Sequence, residues 1–228
     1  MMDHSILHPT LTDEDLRKEC EVATTYDVAS VCVKPYAVKQ AVALIQGSDV
    51  LAGSVIGFPA GNSAIEVKII EAEKACKDGA VEIDMVINIG KALQGDWDYI
   101  TDEIRLVTKV CHKHNAIVKV IFETDFITRT EDKIRLCEIC TDVGADFVKT
   151  STGFGFVKQS DGSYNYTGAT LEDLKLMRKH SGSNVQVKAA GGVRTLEDLE
   201  KVKETGATRC GVTATGAILE KAKEVYGS

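Results

Sequence analysis

Five charged residues interrupt apolar, strand-like runs: Glu82 and Asp84 in Val81-Glu82-Ile83-Asp84-Met85-Val86, Lys119 in Val118-Lys119-Val120-Ile121, Lys149 in Phe147-Val148-Lys149-Thr150, and Lys188 in Val185-Gln186-Val187-Lys188-Ala189. A lysine beside a second cation in a partly desolvated site has its pKa lowered, so more of it is the free amine that attacks a carbonyl carbon. Lys149 and Lys188 both run directly into turns of small residues, Thr150-Ser151-Thr152-Gly153 and Ala189-Ala190-Gly191-Gly192. The pattern points to Schiff-base chemistry. For Glu82 with Lys119, a neutralising pair filling the interior is the better reading.

Glycine marks a second kind of site. Gly191-Gly192-Val193-Arg194 and Gly211-Val212-Thr213-Ala214-Thr215-Gly216 each follow an apolar run, and glycines let backbone amides approach an anion. Either loop alone reads equally well as a tight turn into a helix, and Arg194 as a surface charge. The pair together favours a phosphate site.

The elements that must position these residues follow from periodicity. Apolar, β-branched runs recur over 3–7, 30–33, 51–56, 81–87, 117–122, 146–150, 185–189 and 208–213, and helical patterns lie between them, among them 66–77, 100–112, 131–143 and 196–204. Thr12 with Asp15, Thr170 with Asp173 and Thr195 with Asp198 form capping-box patterns. Gly79, Gly144 and Gly206 stand where helices end. Eight βα alternations and no linker predict a (β/α)8 TIM barrel in a single domain, residues 1–228. An open doubly wound sheet is the alternative, but no G-x-G-x-x-G turn occurs. In a barrel covered by helices, a charge in mid-strand must point inward, and the two-residue period puts Glu82, Asp84, Lys119, Lys149 and Lys188 on the inner face.

With 27 basic against 34 acidic residues, the net charge of -7 disfavours a nucleic-acid partner. No apolar run reaches the ~20 residues of a membrane helix, and the start Met1-Met2-Asp3-His4 lacks a signal-peptide layout, so no membrane association and a cytoplasmic location are expected. Seven scattered cysteines suit free thiols.

Taken together, the segments Asp3-His4-Ser5-Ile6-Leu7, Ser30-Val31-Cys32-Val33, Ile56-Gly57-Phe58-Pro59-Ala60-Gly61, Glu82-Ile83-Asp84-Met85-Val86, Lys149-Thr150-Ser151-Thr152-Gly153-Phe154 and Lys188-Ala189-Ala190-Gly191-Gly192-Val193-Arg194 resemble those of the deoxyribose-phosphate aldolases, in order and across nearly the whole chain. The resemblance implies a class I aldolase that reversibly cleaves 2-deoxy-D-ribose 5-phosphate to acetaldehyde and D-glyceraldehyde 3-phosphate, in breakdown of deoxynucleosides. It implies Lys149 as the imine-forming amine and Asp84 with Lys188 as the proton relay, with no metal or other cofactor. Thr150, Gly153, Gly191, Gly192, Arg194, Gly211 and Thr213 are the implied substrate and phosphate contacts, and Asp3, Cys32, Glu82 and Lys119 possible neighbours of the site. A homo-oligomer, dimer or tetramer, is expected. The last loop departs from the Gly-Thr-Ser common in the family, though a threonine hydroxyl still donates to phosphate. Some relatives use a C-terminal tyrosine in proton transfer, a role Tyr226 is not assigned here.

Two other readings compete. One is a Schiff-base aldolase with a different phosphorylated substrate; the other is a sugar-phosphate sensor, which the joint presence of Asp84, Lys149 and Lys188 opposes. Cys137 and Cys140 read as one helix face rather than a zinc pair, and His112 and His114 as helix-end cations rather than ligands. Cys32 reads equally as a packing thiol or a reactive one, and 57–61 equally as a structural turn or a wall of the site.

Overall fold

The computed structural model describes residues 1–227. The first half of the chain runs β1 (Met2–Ile6), α1 (Asp13–Thr25), β2 (Ser30–Val33), a 3-10 turn (Pro35–Ala37), α2 (Val38–Leu44), β3 (Leu51–Ile56), α3 (Ile65–Lys77), β4 (Glu82–Val86), α4 (Ile89–Leu93) and α5 (Trp97–Lys113). The second half runs β5 (Ile117–Ile121), α6 (Thr130–Val143), β6 (Phe147–Lys149), β7 (Val157–Lys158), β8 (Tyr164–Asn165), α7 (Leu171–His180), β9 (Gln186–Ala190), α8 (Leu196–Glu204), β10 (Arg209–Val212) and α9 (Thr215–Tyr226). Strands β1 to β6, β9 and β10 pair in parallel and close a barrel in the order β1-β10-β9-β6-β5-β4-β3-β2. This is the (β/α)8 TIM barrel expected from the eight alternations.

The alternation of strand residues separates two layers. Outward-facing Ile83, Met85, Val118, Val120, Val148 and Val187 are fully buried beneath the helices. Helix α5 meets them with Ile100, Ile104, Val107 and Cys111, a stripe at helical spacing with no exposure. Each such aliphatic side chain contributes about 1.5–3 kcal/mol by leaving water. The inward layer differs in character, since charged side chains from β1, β4, β5, β6, β9 and β10 meet in it and form the site described below.

Helix starts follow the capping patterns with one correction. Thr12–Asp15 and Thr195–Asp198 form full boxes, but Thr170 only receives the Asp173 amide, because the Asp173 carboxylate is taken by Lys133 of α6. The antiparallel pair β7–β8, inside the long connection from β6 to α7, was not expected. Strands of two residues are too short to carry a period.

On the face where the strands end, a buried ion pair fixes one loop. Lys68 and Glu103 are fully buried, with Nζ to Oε1 at 2.6 Å, and the same Nζ donates to the Gly61 and Val86 carbonyls at 2.7 Å each. Glu103 Oε2 accepts from the Asn88 amide at 2.8 Å. Gly61, at φ 69°, leaves no room for a side chain, since a Cβ there would sit 1.8 Å from the Ile87 carbonyl oxygen. The segment 57–61 is thus tied to the end of β4. Lys68→Met leaves the buried Glu103 carboxylate without its cation and takes the Lys68 donor from two carbonyls, and is expected to cost about 3–5 kcal/mol in urea unfolding; a loss under about 1 kcal/mol would show the pair contributes nothing.

Candidate active site

All five inward charges predicted from alternation meet inside the barrel, joined by Asp3 and Arg209. Asp84 Oδ2 accepts from Lys149 Nζ at 2.6 Å and from Lys188 Nζ at 2.7 Å, while its Oδ1 accepts from Lys119 Nζ at 3.0 Å. Lys119 also donates to Glu82 at 2.6 Å, and Lys188 lies 2.6 Å from Asp3 Oδ2. Arg209 bonds both Asp3 and Glu82. Strand register brings this about: Asp84 pairs level with Lys119 on β4 and β5, and Lys149 level with Lys188 on β6 and β9.

The cluster holds four cations, Lys119, Lys149, Lys188 and Arg209, against three carboxylates, Asp3, Glu82 and Asp84. Lys149 has the weakest claim on a proton, because its one carboxylate partner, Asp84, is shared with two other lysines. Burial pushes the Lys149 pKa down, the Asp84 charge opposes that, the Lys188 charge adds to it, and the net direction is down. Lys188 goes the other way: burial alone would lower it, but Asp3 and Asp84 together hold it well above the ordinary lysine value. Lys119 is also raised, and Asp84 is held well below the usual carboxylate range by its three lysines against the cost of burial. The site thus contains one amine that gives up its proton more readily than an ordinary lysine beside one held as ammonium.

Lys149 and Lys188 form part of the wall of a cavity of about 690 Å³ at the end of the barrel where the strands finish. Asp3, Cys32, Gly153, Gly191, Gly192, Arg194, Gly211 and Thr213 also line it, so the structure brings together most of the predicted set. Asp84, Glu82 and Lys119 lie beneath the two lysines. Thr150 does not line the cavity: its hydroxyl accepts from the Ala190 amide at 3.0 Å and donates to the Ala190 carbonyl at 3.1 Å, which spends it on tying β6 to β9. The Cys32 thiol is pushed up to about 11 by burial, the behaviour of a packing thiol. Segment 57–61 supports the wall from behind, with Phe58 edge-on to Phe154 at 5.4 Å. Tyr226 lies away from the cavity and bonds Glu200 on α8.

Sequence reasoning missed Arg209, Thr152, Phe156, Tyr166 and Glu19 as parts of the site or its wall. Arg209 was available to it, being a charge inside the last apolar run, and the rule that found the lysines applies to it unchanged. Phe156 and Tyr166, edge-on at 5.4 Å, arrive on the β7–β8 excursion, where the Asp161-Gly162 pair, with Gly162 at φ 85°, was a turn signal that could have found it. Gly191 and Gly192 both have positive φ, 82° and 84°, which supports the loop reading of that pair. The start of α8 is already capped by Thr195 and Asp198, whereas α9 starts at Ala214 with no side-chain cap, next to Thr213. Among the described residues, no group of three or more His, Cys, Asp or Glu side chains is arranged to hold a metal ion.

Asp84 and Asp3 both have depressed pKa values, so their contribution to stability is full above the ordinary carboxylate value of about 4 and is lost as pH falls through the folded values. Asp84→Asn is expected to be less stable than wild type at neutral pH and to lose less on acidification. Urea midpoints measured from neutral pH down into that range check this, and parallel curves would show that Asp84 does not carry the acid dependence.

Comparison with known proteins agrees with this geometry. The description of the DeoC/LacD family aldolases matches residues 1–222. The chain is 48% identical to the deoxyribose-phosphate aldolase of Rhodopirellula baltica, over 100% of this chain and 90% of that one, and 48% identical to that of Thermococcus gammatolerans, over 97% and 95%. It superimposes on the tetrameric deoxyribose phosphate aldolase of Aeropyrum pernix with a TM-score of 0.86 and 27% identity, covering 98% of this chain and 90% of that one. With a barrel, a buried lysine pair and a family match running through nearly the whole sequence, the chain belongs to the DeoC/LacD family of aldolases.

Proposed function

We infer that the protein is a class I aldolase that reversibly cleaves 2-deoxy-D-ribose 5-phosphate to acetaldehyde and D-glyceraldehyde 3-phosphate through an imine on Lys149. The observation that carries this is the surplus cation: in a cluster of four cations and three carboxylates, Lys149 is the lysine with the lowered pKa, and it faces the cavity.

The chemistry follows from that amine. Lys149 Nζ attacks C1 of the open-chain sugar and the adduct loses water to give a protonated imine. That cation draws electrons, so removal of the C3 hydroxyl proton lets the C2–C3 pair move toward nitrogen. C3 leaves as the aldehyde of glyceraldehyde 3-phosphate, and an enamine remains. Protonation at C2 and hydrolysis of the imine release acetaldehyde and restore the amine. Proton traffic is assigned to Lys188 with Asp84 behind it, acting through water. The electron sink is the imine nitrogen, so no step calls for a metal or another cofactor.

The glycine loops and the start of α9 hold the phosphate in this reading, through Gly153, Gly191, Gly192, Gly211, Thr213 and Arg194. A helix N-terminus favours an anion by about 0.3–1 kcal/mol at the surface and up to ~2 kcal/mol when partly buried. We also place the protein in the cytoplasm as a homo-oligomer; among the described residues no helix is long and apolar enough to cross a membrane.

Acetaldehyde release from 2-deoxyribose 5-phosphate, with EDTA present, tests the assignment. Lys149→Leu is expected to abolish turnover and borohydride trapping of acetaldehyde while keeping the fold, and trapping that persists at another residue would overturn it. Lys188→Leu removes the cation that lowers the Lys149 pKa and releases Asp84 to stabilise its ammonium, both raising it. The free-amine limb of the pH–rate profile should therefore move to higher pH, with activity lost at neutral pH; an unshifted limb would break the coupling. Arg194→Ala and Thr213→Val should each raise KM for the phosphorylated substrate, and an unchanged KM removes that residue from the site.

A further inference from the structure

Glu123 follows the end of β5, and the aldol route above makes no use of it. The residue is 1% exposed yet adopts a positive φ of 58°, a strained conformation that surrounding contacts must hold in place. Those contacts run to the loop that follows Lys149. The Glu123 carboxylate accepts from the Thr152 amide at 3.2 Å and from the Thr152 hydroxyl. The next residue repeats the link: the Thr124 amide donates to the Thr150 carbonyl at 3.0 Å, and the Thr124 and Ser151 hydroxyls lie 3.1 Å apart. Gly155 passes directly over the carboxylate, so that a Cβ there would lie 2.7 Å from Glu123 Cδ. The charges that reach Glu123 are Asp125 on its own loop and Lys149 on β6, and burial raises its carboxyl to about 6.

This arrangement determines which way the Thr152 hydroxyl points. A hydroxyl has one proton and two lone pairs, and a carboxylate can only accept. The proton therefore goes to Glu123. One lone pair accepts from the Phe154 amide at 2.9 Å. What remains is a single lone pair on a residue that lines the cavity within three positions of Lys149. We propose that Glu123 is a positioning residue that fixes the Thr152 hydroxyl as a pure hydrogen-bond acceptor in the cavity, so that this wall selects a ligand carrying an O–H donor, the hydroxylated aldol, over a simple aldehyde. The proposal rests on the aldolase reading and deepens it.

Two consequences separate this from a merely structural clamp. Acetaldehyde has no O–H donor, so its imine with Lys149 does not use the contact, whereas the hydroxylated sugar does. Once Glu123 is protonated, it can donate to Thr152, and the threonine proton is free to turn into the cavity. KM for the sugar should therefore rise as pH falls through about 6, the value to which burial raises Glu123.

Glu123→Gln tests the assignment with little change of shape. Thr152 places its amide and its hydroxyl on the same Glu123 oxygen, so in the variant the amide oxygen takes that position and accepts from both, but it does not take up a proton near pH 6. Expected is a folded protein that is still trapped by borohydride and acetaldehyde at Lys149, with a KM for 2-deoxyribose 5-phosphate near wild type at neutral pH that no longer rises as pH falls through about 6. Glu123→Ala removes the acceptor and should raise KM about tenfold, the value of one hydrogen bond, with kcat affected much less. A Gln variant that keeps the wild-type acid limb overturns the proposal, as does an Ala variant with wild-type KM, since either means that the carboxylate only fills space. Wild type that forms no adduct with acetaldehyde overturns the aldolase reading and this inference together.

Discussion

One carboxylate shared by three ammonium groups is the constraint on which the centre of this barrel turns. Lysine removed from water costs several kcal/mol unless paired, and Lys119, Lys149 and Lys188 are all removed from it. Asp84 faces all three, and Asp3 and Glu82 offset the rest with Arg209 bridging them. Because the barrel is closed, the ammonium groups cannot spread apart. The repulsion that remains falls on Lys149, the group with the least compensation, and leaves it the most readily deprotonated. The same unfavourable electrostatics that burden folding prepare the amine for attack on a carbonyl.

Support for that amine comes from carboxylates outside the cluster. Glu123 and Asp125, both on the connection after β5, hold the two ends of the long excursion after β6. Glu123 holds Thr152, and Asp125 accepts from the Thr167 amide at 2.5 Å and from the Gly168 amide at 3.0 Å. Between these anchors the chain carries Phe154, Phe156 and Tyr166 to the cavity wall. Opposite, Lys68 and Glu103 tie the 57–61 segment to the end of β4. A face built from loops is in this way tied to the strands beneath it, which a reaction needing an aligned amine and proton donor requires.

Legibility from sequence differed by the range of the interaction concerned. The strands were readable because apolar runs are local, and the inward direction of Asp84, Lys119, Lys149 and Lys188 followed from their spacing from Val and Ile neighbours. Arg209 obeyed the same rule. Thr150 misled, because a threonine after a catalytic-looking lysine resembles a ligand contact until the distance to Ala190 is known. The Asp173 half of a capping box misled for a similar reason: its rival partner, Lys133, is 40 residues away in the chain.

The sequence by itself determined which residues face the interior, where strands give way to loops, and that lysines and carboxylates must neutralise one another there, because a two-residue period settles face and a buried charge requires a partner. It could not determine which partner. That choice belongs to strand register and barrel closure, which set Lys149 level with Lys188, aim both at one oxygen of Asp84, and bring Arg209 of the last strand against Asp3 of the first. The surplus of one cation is already present among the five inward charges of the sequence, but only in three dimensions does the shortfall fall on Lys149, since how charges share their partners is a property of the distances between side chains and not of their order along the chain.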